Sequence, residues 1–240
     1  FFRVGNFTIR DPLNRGEITL GEAIMHSSQV GISKLALGLN EYEVRAMFEK
    51  LGFGRDAGTG FPGESAGRLP NHRRWTDIER AAFAYGYGLT VTPLQLAASY
   101  LTIANGGIKR DVSLIVGAER NDQRIYSREV ADQLKQILAS VVTNGTAKKA
   151  AIQGYSVAGK TGTARKMGES GYEDTRHLAF FAGMAPVDHP RLVCVVLINE
   201  PKGESYGGGA TAAPVFSRVM QNALRILNVP PKVQVKGEAA

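Results

Sequence analysis

After Gly154 the sequence changes character, and that change limits the fold more than any other feature. Three strand-like stretches follow in succession, Tyr155 to Ala164, Leu178 to Pro186 and Leu192 to Glu200. Each is bounded by turn-forming residues and is short enough to be a strand, so the three read as an antiparallel meander. Gly207-Gly208-Gly209 then precedes a helical pattern from about Ala213 to Leu227. The residues before Gly154 carry helix signals almost throughout. Helices in one stretch of chain and an antiparallel sheet in another define an α+β protein.

The helical stretch is punctuated clearly. Thr19-Leu-Gly-Glu22 is a capping box, in which the hydroxyl takes an orphan amide and the carboxylate reaches back. The helix it opens is expected to run toward Ser27. Ile32, Leu35, Ala36 and Leu39 continue at helical spacing, and Glu41 to Leu51 reads as a helix ended by Gly52. Gly54 to Pro70, rich in Gly and Pro, reads as a long loop. Further helices are expected over Asp77 to Tyr85, over Thr92 to Asn105 with Pro93 in the first turn, and from Ser127 to about Val142, closed by Asn144-Gly145. Phe1 to Ile9 loosely alternates and reads as one short strand. The tail after Pro230 reads as disordered.

Charge narrows the functional classes. The net charge is +7, but Lys and Arg are scattered and the densest pairs, Arg73-Arg74 and Lys148-Lys149, are short. A nucleic-acid binder concentrates its charge on one face or in a run, so nucleic acid is not an expected partner. A basic surface suits an anionic substrate or membrane face. The longest apolar run, Leu192 to Ile198, is far too short to cross a bilayer. Cys194, the single cysteine, lies in Leu-Val-Cys-Val-Val and reads as a small apolar filler. Neither a metal nor a cofactor is expected. The chain opens on Phe1 rather than Met and reads as a piece of something longer.

One stretch supports two readings. Gly154-Tyr-Ser-Val-Ala-Gly159-Lys160-Thr161 fits the phosphate-loop pattern. That mechanism needs a buried strand before the loop and a helix starting at the lysine. Ala147 to Gln153 is not such a strand, and Gly162 is a poor second residue for a helix. The other reading puts Lys160-Thr161-Gly162-Thr163 on an edge strand. An open edge pairs with an extended peptide, glycine permits close approach, and the ammonium and hydroxyls bind a carboxylate. The tetrapeptide alone does not separate this from a lysine in an ordinary turn. Ser27-Ser28-Gln29, between two helices, favours the edge strand, because a serine hydroxyl within reach of an ammonium relays protons. By itself it would be only a cap.

Together these residues resemble the penicillin-binding proteins and serine β-lactamases, whose motifs run Ser-x-x-Lys, Ser-x-Asn and Lys-(Thr/Ser)-Gly in that order. The resemblance is nearest to the septal class B penicillin-binding proteins of Gram-negative bacteria. It rests on His26-Ser-Ser-Gln-Val-Gly-Ile-Ser-Lys34, Gly60-Phe-Pro-Gly-Glu64, Leu69-Pro-Asn-His-Arg73, Ala84-Tyr-Gly-Tyr-Gly-Leu-Thr-Val-Thr92, Val157-Ala-Gly-Lys-Thr-Gly-Thr-Ala-Arg165, Phe180-Phe-Ala-Gly-Met-Ala-Pro186 and Ala213-Pro-Val-Phe-Ser217. It implies a partial transpeptidase domain over residues 1–230 and a tail over 231–240.

The resemblance also implies a chemistry: D,D-transpeptidation of peptidoglycan stem peptides through an acyl-serine that β-lactams also form. Ser27, Gln29 and Lys160 would be catalytic. Ser28, Thr161, Gly162, Thr163 and Arg165 would bind substrate, with Tyr85, Tyr87 and Phe181 walling the cleft. Ser27 and Gln29 would face Lys160 across that cleft. Division and cell-wall synthesis proteins would be partners of the full-length protein, held at the periplasmic face of the inner membrane by an N-terminal anchor.

Two departures stand out. Gln29 replaces the family's asparagine, and no serine of the chain has a lysine three positions on. The natural place of Ser-x-x-Lys is before Phe1, so this chain alone is expected to be inactive. A related D,D-carboxypeptidase or β-lactamase, a non-catalytic relative and a phosphate-loop nucleotide binder remain alternatives.

Overall fold

The computed structural model describes residues 1–71, 75–169 and 171–232. His72 and Arg73 of one family-like stretch, the Arg73-Arg74 pair, Ser170 and most of the expected disordered tail fall outside these residues. The chain forms two compact units, Phe1–Leu138 and Ala139–Ala240, with the division inside a helix.

The first unit opens with a hairpin rather than one strand. β1 (Phe2–Val4) and β2 (Phe7–Ile9) pair antiparallel, reversing at Gly5, whose φ of 57° suits glycine. Val4 and Ile9 are buried with Ala81, and Phe2, Val30, Leu37, Ile78 and Tyr85 pack against them. Five helices follow: α1 (Leu20–Met25), α2 (Gln29–Gly38), α3 (Glu41–Leu51), α4 (Asp77–Ala84) and α5 (Pro93–Ala104). Their ends are where the chain's polar residues put them. Thr19 with Glu22, Thr76 with Glu79, and Thr92 with Gln95 form capping boxes. Gly52 ends α3 in the left-handed conformation. Arg80 reaches from α4 to the carbonyls of Ala36, Leu37 and Leu39, tying α4 to the end of α2.

A second hairpin, β3 (Ile108–Arg110) with β4 (Asp122–Arg124), was not expected from the sequence. Its residues are polar and its strands short, so no apolar alternation marks it. Helix α6 (Arg128–Thr143) starts after Ser127, whose hydroxyl accepts from the Val130 amide at 3.3 Å, and the division between the units falls within it.

The second unit is a three-stranded antiparallel sheet in the order β5-β6-β7 with one helix on it. β5 (Ala158–Gly168) starts three residues later and runs four further than the sequence suggests. Tyr155 instead forms a bridge with Ile152 and donates its hydroxyl to the Val229 carbonyl at 2.7 Å. β6 (Gly171–Ala185) is longer by its polar first half, which leaves no apolar signal. β7 spans Leu192–Asn199 and holds the partly buried Cys194, whose thiol burial pushes up.

Helix α7 (Gly208–Ile226) begins about a turn earlier than expected. Glycines are poor helix formers, but here packing decides. A Cβ on Gly208 would lie 2.3 Å from the Phe180 carbonyl oxygen and 2.4 Å from that of Gly162, and one on Gly209 would lie 2.4 Å from that of Thr146. Only glycine lets the helix meet the sheet so closely. Below this contact Phe181, Met184, Phe216, Met220 and Leu224 form a fully buried core.

Candidate active site

Lys160 stands inside β5, paired with Ala182 of β6. A phosphate loop would begin a helix here; the strand runs on for eight further residues, so the phosphate-loop reading is overturned. Among the described residues β5 pairs only with β6, which leaves its other edge without a strand partner. The lysine is half-buried, its Nζ donates to the Thr161 carbonyl at 2.9 Å, and desolvation pushes its pKa down to about 8.

Alternation along β5 separates its residues into two sets. Gly159, Thr161 and Thr163 share the face of Phe181 and α7, and Lys160 and Gly162 share that of Phe180. The Thr161 hydroxyl lies 2.9 Å from that of Thr146. The Thr163 hydroxyl accepts the Gly208 amide at 3.0 Å, so a strand residue caps a helix whose own N-cap, Gly207, has no side chain to do so. The positive end of a 19-residue helix is thereby aimed at the exposed threonine. Two hydroxyls, a helix N-terminus and an ammonium on one open strand provide what a carboxylate-bearing extended peptide requires.

One sequence expectation needs correction here. Phe181 is fully buried, edge-on to Phe216 with ring centroids 4.6 Å apart, and cannot wall a cleft. The aromatic on Lys160's face is its neighbour, Phe180, because a step of one residue along a strand reverses the face. Gly162 packs against Phe180: a Cβ there would fall 1.9 Å from that ring.

Farther along the sheet, Arg165 is exposed and pairs with Asp174 at 2.8 Å. It lies opposite His177 on β6, whose ring stacks on Tyr206 at 4.0 Å and 16°. Sequence reasoning missed this stack, since the two residues lie 29 apart and belong to no motif. Glu200 joins Lys166 and Arg176, and these hydrogen bonds hold its carboxyl below the ordinary range.

In the first unit, Ser27, Ser28 and Gln29 join α1 to α2. The Ser27 amide donates to the Ile24 carbonyl and the Ser28 amide to that of Ala23, the bonding pattern of a Schellman motif. Ser27 therefore occupies the left-handed position that glycine usually fills, with φ 56°. For serine this costs about 1–2 kcal/mol, and such outliers gather at functional sites. Ser27 and Gln29 are exposed.

Ser28 is different: it is 3% exposed, and its Oγ accepts the Gly31 amide at 2.9 Å while donating to Asp11. Its hydroxyl is committed to capping α2, which corrects the expectation that it contacts substrate. Tyr85 is half-buried against the hairpin core and T-shaped to Tyr87 at 5.9 Å. Burial, with Tyr87 as a lesser cause, pushes the Tyr85 hydroxyl pKa up. Among the described residues no cluster of His, Cys, Asp and Glu could hold a metal ion, and no helix is long and apolar enough to cross a membrane.

The α+β fold and the strand-borne Lys160-Thr161-Gly162 are of the penicillin-recognising type, and the comparisons agree. Residues 3–221 match the penicillin binding protein transpeptidase domain, and the chain belongs to that family. It is 39% identical over 239 residues to the peptidoglycan D,D-transpeptidase FtsI of Escherichia coli strain K12, covering 99% of this chain and 41% of that protein. It is 36% identical over 232 residues to the probable peptidoglycan D,D-transpeptidase PenA of Neisseria meningitidis serogroup B, with 96% and 40% covered. The apo transpeptidase domain of Burkholderia pseudomallei penicillin-binding protein 3 superposes with a TM-score of 0.87 at 38% identity, covering 93% of this chain and 69% of that one. The chain thus spans about two fifths of the curated relatives' length.

Proposed function

We propose that this chain is the carboxylate-binding and proton-relay part of a septal peptidoglycan D,D-transpeptidase. The observation that carries the proposal is the open-edged strand bearing Lys160, Thr161 and Thr163 beside the N-terminus of α7. An extended stem peptide adds along that edge. Thr161 and Thr163 take its terminal carboxylate, Lys160 supplies positive charge from the other face of the strand, and a backbone amide near Thr163 holds the developing oxyanion. Arg165 and the His177–Tyr206 stack contact the flanking part of the substrate.

Ser27 relays the proton between the nucleophile and the leaving amine. The nucleophilic serine and its lysine base lie outside these 240 residues, because none of their serines begins a Ser-x-x-Lys. An amine of a second stem peptide then resolves the acyl-enzyme, and β-lactams acylate the same serine. The likeness to FtsI and PenA supports a transpeptidase over a carboxypeptidase or a β-lactamase. Action at the periplasmic face of the inner membrane, beside division proteins, belongs to the same proposal. The test is the second-order rate of acylation of the full-length protein by a fluorescent penicillin. Ser27→Ala and Lys160→Met should each lower it at least about tenfold; wild-type rates in both folded variants would refute the assignment.

A further inference from the structure

We infer that Asp11 is a positioning residue of this active site: its carboxylate clamps the first turn of α2 through Ser28 and so fixes how the Ser27 hydroxyl is presented. The inference rests on the relay role proposed for Ser27. Asp11 lies 17 residues before Ser28, in the segment between β2 and α1. One carboxylate oxygen accepts the Ser28 hydroxyl at 2.5 Å, and the other accepts the Val30 amide at 3.2 Å.

The cap of α2 does not itself explain the contact. Ser28 Oγ already accepts the Gly31 amide, which is what a helix N-cap requires. Asp11 adds two things: an acceptor that fixes the rotation of the Ser28 hydroxyl, and a negative charge at a helix start with no acidic residue of its own in the first turn.

Ser27 is held from both sides as a result. The Schellman bonds tie it to α1, and the Asp11–Ser28 pair ties the next residue to α2. The two helices abut tightly here: a Cβ on Gly31 would lie 3.0 Å from that of Ala23 and 3.1 Å from Ser28 Oγ. A left-handed serine persists only where its surroundings leave it no alternative. Without Asp11 the hydroxyl proton of a 3% exposed serine loses its acceptor. Ser28 then has a reason to turn away from the cap, and the constraint on Ser27 goes with it.

The test uses the full-length protein and a fluorescent penicillin, with rapid-mixing kinetics that separate the acylatable fraction, the binding constant and the first-order acylation rate. Asp11→Ala should lower the acylation rate about tenfold or more while the acylatable fraction and the binding constant stay within about twofold. Asp11→Ala with Ser28→Ala should be no slower than the slower single variant, as expected for two groups acting as one unit. If Asp11→Ala does not fold, Asp11→Asn carries the same test, since it keeps an acceptor for Val30 and loses the charge. An unchanged rate in the folded variant, whether or not the acylatable fraction falls, would show a purely structural role and overturn the inference. Ser27→Ala is measured alongside: a wild-type rate there would refute the relay itself, while a slowed Ser27→Ala beside an unaffected Asp11→Ala would refute only the clamp.

Discussion

Replacing Ser27 with glycine should make the protein more stable and less active at once. The residue sits at φ 56°, in the left-handed position of a Schellman motif. Relief of the side-chain strain is worth about 1–2 kcal/mol, and glycine's greater freedom in the unfolded chain takes back about 0.5–1 kcal/mol. The net gain of at most about 1.5 kcal/mol corresponds to a rise in Tm of up to about 6 °C for a domain of this size. The hydroxyl is lost in the same step, and a positioned proton relay is worth about 10²–10⁴ in rate. Differential scanning calorimetry and penicillin acylation on the same preparation of full-length protein measure both effects. A glycine variant that melts lower would show that the helix ends do not impose this conformation. One that acylates at the wild-type rate would show that the hydroxyl has no part in the chemistry.

Lys160→Met should slow acylation by at least about tenfold without lowering Tm at neutral pH, because a charge-assisted bond to a carboxylate is worth about 1.5–3 kcal/mol and the buried ammonium itself costs stability there. Lys160 titrates near 8 in the folded protein against about 10.4 unfolded, so the unfolded chain binds more protons between these values. Stability should therefore rise with pH from about 8 to about 10.4, whereas acylation by carboxylate-bearing β-lactams should fall above about 8 as the ammonium is lost. Both trends should vanish in Lys160→Met, as pH-dependent melting and stopped-flow rates will show. Gly208→Ala, which in an ordinary helix stabilises by about 1 kcal/mol, should destabilise, since its Cβ would meet two carbonyl oxygens at 2.3 and 2.4 Å; a higher Tm would contradict this packing.

What the sequence reveals is local. A capping box at Thr19, Thr92 ahead of a first-turn proline and a terminating glycine at Gly52 place helix ends to within a residue or two, because their hydrogen bonds join near neighbours. The antiparallel meander and the edge position of the lysine strand were legible as well, from the length of the apolar runs and their turns. What was missed depends on partners distant in sequence. Register decides that Phe180, not Phe181, shares the face of Lys160. Contacts with Phe180 and Thr146 explain a helix that begins on glycines. Asp11 converts Ser28 from a candidate ligand into a buried cap. The polar hairpin β3–β4 carries no periodic signal at all.

The most direct test of the proposed chemistry is to incubate the full-length protein and the 240-residue chain separately with penicillin and measure intact masses, then map any adduct by peptide sequencing. The expected result is one penicilloyl group on the full-length protein, on a serine of a Ser-x-x-Lys outside these residues, and none on the 240-residue chain. A stable adduct on any serine between Phe1 and Ala240 would contradict it.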